Sequence, residues 1–172
     1  MTAYPAKTLA KTLGFICWLL LSGFIPASHA ADTPTSGIYT HSVQQPFESA
    51  FETLKQALED KRFFVVLEPD MGSRMAKFAE TWGKDYNRNQ IEHIRGMVFC
   101  NIWQTNHLGN QDPKLLGLCP LHLTMIHQRG ITTVLLPRLS LLAVGSAGAS
   151  AVQELEQELI GIIQQALPPP KP

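Results

Sequence analysis

Leu121-His-Leu-Thr-Met-Ile-His-Gln-Arg-Gly-Ile-Thr-Thr-Val-Leu-Leu136 decides the fold. In an extended chain its first half places Leu121, Leu123 and Met125 on one face and His122, Thr124 and Ile126 on the other. Gln128-Arg129-Gly130 is a turn signal, and Ile131 to Leu136 is a β-branched returning run. Two runs joined by so short a turn read as a β-hairpin, with Pro120 opening it and Pro137 ending it.

Upstream, helices and strands alternate. Gly96 to Cys100 reads as a strand, and Ile102 to Gly109 as a short helix with Asn101 as its cap, broken by Asp112-Pro113. Lys84 to His93 is polar and irregular, the longest expected loop. Before it, Met71, Met75, Phe78, Ala79 and Trp82 share one helical face, which predicts a single core-packed helix capped by Asp70 and stopped by Gly83. Phe63-Phe-Val-Val-Leu67 is a short apolar run, expected to be a buried strand. Phe47, Ala50, Phe51, Leu54 and Leu58 recur at helical spacing after Pro46, and Ile38 to Val43 is a further strand.

Downstream, Ser140 to Ser150 is rich in Gly, Ala and Ser and has no clear pattern. Val152, Leu155, Leu159, Ile162, Ile163 and Ala166 form the stripe of a closing helix over 150–167. Ser150 with Gln153 resembles a capping box, and Glu154, Glu156 and Glu158 are expected on the solvated face. The order β-α-β-α-β-α-β-β-α predicts one α+β domain: two layers, a mainly antiparallel sheet of about five strands covered by helices.

The N-terminus is of another kind. Lys7 and Lys11 precede an uncharged run, Leu13 to Ile25, and then Pro26-Ala-Ser-His-Ala30. Basic, apolar and small residues in that order predict a secretory signal peptide over 1–30, cleaved after Ala30. The run is shorter than the roughly 20 residues that span a bilayer, so no stable membrane insertion is expected after cleavage. The whole chain has 172 residues, 14 basic and 14 acidic side chains and three cysteines. Removing the first 30 residues of the 172 leaves 142, a mildly acidic domain over 31–172. The charge gives no clustered basic surface, so nucleic acid is not an expected partner. Cys17 leaves with the leader, and Cys100 and Cys119 remain in a compartment that permits disulfides.

Signatures of chemistry are sparse. There is no Gly-rich phosphate loop, nucleophile elbow, His-Glu-x-x-His or Cys-x-x-Cys. Cys100 ends one strand and Cys119 precedes the next, so they meet if those strands are antiparallel neighbours and lie a strand length apart if the strands are parallel. They are thus a disulfide candidate, or a pair of packed thiols. Cys100, His107, Cys119 and His122 also mix thiolate and imidazole, which suits zinc or copper, but their spacing matches no standard site. His122 and His127, five apart on a strand, point to opposite faces. No cofactor is required by the sequence, and none can be named from it.

Phe99-Cys100-Asn101, then Asp112-Pro113, then Cys119-Pro120 and a strand resemble the exported branch of the domain-of-unknown-function 302 family. The resemblance covers about 38–137. Ile102 and His127-Gln128 depart from the pattern of many relatives. The resemblance implies a compact α+β domain, often a dimer, with no established reaction. It marks Cys100, Asn101, Asp112, Pro113, Cys119 and Pro120 without assigning roles. The expected function is therefore an exported, non-enzymatic binding or accessory module with unknown ligand, with Asn101, His107 and His122 as candidate contacts and a homodimer as a candidate assembly. The competing expectation is thiol redox, or metal or haem handling, through Cys100 and Cys119.

Overall fold

A computed structural model describes residues 36–169. The expected leader and its cleavage point lie outside them. Five strands form one sheet in the order β1-β5-β4-β3-β2, with every neighbouring pair antiparallel. They are β1 (Ile38–Val43), β2 (Phe64–Leu67), β3 (His93–Cys100), β4 (Leu121–Gln128) and β5 (Ile131–Pro137). The helices are α1 (Phe47–Asp60), α2 (Met71–Ala76), α3 (Ala79–Trp82), α4 (Ile102–Gln111), α5 (Leu139–Leu142) and α6 (Ala149–Ala166). This is the α+β architecture that the element order implies. Among the described residues, no helix is long and apolar enough to cross a membrane.

The hairpin forms as its sequence dictates. Arg129 and Gly130 take φ of 52° and 77°, and Gln128 pairs with Ile131 across the two-residue turn. Both central residues at positive φ match the right-handed twist of the strands they join. Period-2 patterning then buries Leu121, Leu123 and Met125 of β4 and Thr132, Val134 and Leu136 of β5 on one face. Long helices α1 and α6 cover that face. Phe47, Ala50, Phe51, Leu54 and Leu58 of α1 are all buried, as their spacing predicts. With Met97, Phe99, Leu155, Leu159 and Ile163 they make one core. Each such side chain contributes about 1.5–3 kcal/mol on leaving water.

Four expectations need correction. The run at 63–67 is not a buried strand. Only Phe63 is buried, and Phe64, Val66 and Leu67 are each more than half exposed, because β2 is an edge strand. The stripe from Met71 to Trp82 is not core. The segment breaks into α2 and α3, and neither buries a residue. It lies against β3 away from α1 and α6, where Phe78 stacks on Trp82 with ring centroids 5.2 Å apart.

The other two corrections concern α6. It starts at Ala149 behind Gly148, with no side-chain cap, so Ser150 is not a capping residue. Helix and chain come too close there for a side chain. A Cβ on Gly148 would lie 2.5 Å from Leu115 Cδ1 and 2.9 Å from Gln111 Cβ. Nor does Glu156 face solvent. It is 2% exposed, and its carboxylate accepts from Arg138 Nη1 at 3.0 Å and from Ser140 N and Oγ at 2.9 Å each. The unpatterned stretch from 140 to 150 is thereby anchored to α6, with Leu139 and Ala143 buried beneath it.

Candidate functional site

The residues singled out by motif gather in the excursion between β3 and β4, and most hold that excursion in shape. Asn101 caps α4, its Oδ1 accepting from Gln104 N at 3.1 Å. Asp112 caps the following 3₁₀ turn, Pro113–Leu118, by accepting from Lys114 N at 3.0 Å. Its other oxygen accepts from Ser146 Oγ at 2.7 Å, tying the excursion to the stretch before α6. The Ser146 hydroxyl, with the Lys114 N–H second, holds the Asp112 carboxyl below its ordinary pKa. Pro113 supplies a first helical position that needs no N–H. Pro120 follows a cis peptide bond from Cys119.

β3 and β4 are antiparallel neighbours, which is the arrangement that brings Cys100 and Cys119 to one end of the sheet. The last pair of the ladder is Phe99 with Leu121; Cys100 follows Phe99 directly, and Cys119 stands two residues before Leu121, across Pro120. They are free thiols, both half-buried. Each sulfur lies 3.4 Å from the same atom, Thr105 Oγ1 on α4. Thr105 escaped the sequence reading. The available signal was a hydroxyl four residues after a helix cap, which commonly bonds back to the preceding turn, and here it donates to Asn101 O at 3.0 Å.

The histidines do not join this group. His107 stacks on exposed Trp103 at a centroid distance of 5.0 Å. His122 is exposed on β4 opposite Val98, on the other face of the strand from His127. Among the described residues, no three His, Cys, Asp or Glu side chains come close enough together to hold a metal ion. His93 and His127 form a cross-strand pair at the opposite end of β3 and β4, where His93 stacks on Phe47 at 4.9 Å. Thr132 Oγ1 donates to Gln45 O at 2.7 Å, so its 2.8 Å contact with His127 Nδ1 requires the proton on that nitrogen. Arg95 spans Glu48 through two bonds of 3.0 and 2.8 Å and lies over the rings of Phe47 and Phe51. These groups are satisfied by one another.

A cavity of about 240 Å³ opens between α2 and the chain entering β3. Asp70, Ser73, Tyr86, Asn87, Glu92 and His93 supply its polar lining, with no lysine or arginine among the lining residues. Asp70 caps α2 by accepting from Ser73 N at 2.9 Å. That N–H, together with the Ser73 hydroxyl and the Arg95 charge, holds its carboxyl below the ordinary value against partial desolvation. Asn87 fixes the far wall, accepting from Ile91 N and donating to Ile91 O at 2.9 Å each. On the near side Gly72 lets α2 close down on β3, for a Cβ there would be 3.1 Å from Ile94 N.

Comparison with known proteins bears out the family resemblance. The family model described as "Domain of unknown function DUF302" matches residues 39–166. The match includes α6, beyond the 38–137 suggested by the motifs. A solved structure, the uncharacterized conserved protein DUF302 from Bacillus stearothermophilus, superposes with a TM-score of 0.64 at 15% identity. The alignment covers 76% of this chain and 98% of that one. No curated protein matches. A family model matching most of the chain, together with a shared fold, places this protein in the DUF302 family of domains of unknown function.

Proposed function

We propose that the protein is an exported, non-enzymatic binding module that takes a small, donor-rich or positively charged ligand in the cavity beside α2. The cavity carries this reading. Two carboxylates, Asp70 and Glu92, line a space of about 240 Å³, just under the roughly 300 Å³ at which small-molecule sites begin. Export rests on the order of basic, apolar and small residues over 1–30. Self-association belongs to the same reading, since a second copy would remove exposed Phe64, Val66 and Leu67 from water. Light scattering tests that part, with twice the chain mass expected at micromolar concentration and a single monomeric species contradicting it.

Alkyl amines and diamines at millimolar concentration are the test for the ligand. At least one should raise the melting temperature. Asp70→Asn should abolish the rise while lowering the unliganded melting temperature only slightly, because asparagine still caps the helix and gives up only what the carboxylate charge adds. No rise with any amine, or an equal rise in the variant, contradicts the reading.

A further inference from the structure

The two cysteines share one hydrogen-bond partner. Thr105 Oγ1 gives its own hydrogen to Asn101 O at 3.0 Å. With its hydrogen given to Asn101, the oxygen offers its lone pairs to the sulfurs at 3.4 Å, an arrangement in which both S–H groups can donate to it. A hydroxyl oxygen has two lone pairs, and this one faces two thiols. The sulfurs therefore lie less than twice 3.4 Å apart, one on the residue after Phe99 and the other on the residue two before Leu121, its partner on the facing antiparallel strand. Disulfide bonding needs the sulfurs at about 2.05 Å, so the two side chains must turn toward each other from their shared partner to close the bond. Both thiols are only half-buried. Exposed Phe64, which pairs with Cys100, and exposed Ile102 flank them, leaving the site open to an incoming reagent.

We propose that Cys100 and Cys119 are a reversible dithiol–disulfide pair, closed by exchange with an external disulfide and held in the reduced form by Thr105. One cysteine thiolate attacks the external disulfide, forming a mixed disulfide and releasing one thiolate of the oxidant. The second cysteine thiolate attacks the protein sulfur of that mixed disulfide, forming the Cys100–Cys119 bond and releasing the other. The two protons given up by the cysteines end on the two released thiols, and two electrons pass from the protein sulfurs to the oxidant. Thr105 loses both donors and keeps its bond to Asn101. The closed bond joins the end of β3 to the start of β4 and fastens the base of the excursion carrying α4.

The test is equilibration of the full chain, carrying Cys17→Ser, in graded ratios of reduced to oxidised glutathione, followed by acid quench, alkylation and mass measurement. The expected result is joint loss of both alkylation sites at one midpoint, within single chains. The oxidised form should melt on the order of 10 °C higher. Cys100→Ser and Cys119→Ser should each stop at a glutathione mixed disulfide. Thr105→Val should move the midpoint about tenfold toward the disulfide, since it removes two bonds made only by the reduced pair. Thiols that stay alkylatable at every ratio, that acquire glutathione independently, or that bridge between chains overturn the proposal. A Thr105→Val midpoint within twofold of the parent overturns the part assigned to Thr105.

Discussion

Two excursions leave the same strand, β3, and they are built in opposite ways. The one before it, 68–92, carries two short helices with no buried residue, an exposed Phe78–Trp82 stack and a polar cavity. The one after it, 101–120, buries Leu108 and Leu115, caps each helical turn with a side chain and ties itself to Ser146 through Asp112. The difference is one of partners. The second excursion packs between the sheet and the segment leading into α6, so its apolar groups reach the core. The first lies on the side of β3 that α1 and α6 leave uncovered, so its apolar groups remain on the surface. A surface with a polar cavity and little packing is free to serve a ligand, and a packed excursion is frame.

That contrast can be broken by substitution. The largest effect is expected at the anchor behind the second excursion. Glu156→Ala leaves Arg138 without its buried carboxylate and should cost about 3–5 kcal/mol in urea unfolding. A loss below about 1 kcal/mol would mean that 138–146 is not fastened through Glu156. Leu115→Ala opens a cavity between the excursion and Gly148 and should cost about 2–5 kcal/mol. Phe78→Ala, in the first excursion, should cost only about 1 kcal/mol, the worth of an exposed aromatic pair. Equal losses at Leu115 and Phe78 would erase the distinction.

Acid should act on both excursions through their caps. Asp70 and Asp112 titrate below 3.8 in the folded protein. A depressed folded pKa adds stability that is present above the unfolded value of 3.8 and is lost as pH falls through the folded one. Both caps should therefore hold at neutral pH and release only below pH 3.8. Ser146→Ala removes the larger cause at Asp112, so carboxyl NMR should show that group rising toward its ordinary value while Asp70 stays depressed. Movement of both, or of neither, would contradict the separate origins given to the two shifts.

The sheet was legible because alternation and a two-residue turn are local signals: Leu121 to Leu136 specifies its own hairpin, and α1 its own buried stripe. The second excursion was legible in its cap Asn101 and its break at Asp112-Pro113, for the same reason, while the capping by Asp112 was not. Burial at the margins was not. Phe64, Val66 and Leu67 are apolar enough for a central strand, and only the strand order makes them an edge. Met71 to Trp82 has a helical stripe, and only the placement of α6 on the other face leaves that stripe without a core. Glu156 looks like its solvated neighbours Glu154 and Glu158 until Arg138 and Ser140 are brought to it from 16 to 18 residues away. The cysteine pair was legible as a question, and Thr105 became visible only once α4 was folded over the strand ends.

The most direct test of the division into frame and ligand surface is an amide NMR titration with the amine or diamine that raises the melting temperature most. Shifts confined to 70–76 and 86–94, with 101–118 unmoved, are the expected result. Shifts centred on α4 and the cysteines, or none at all, would contradict it.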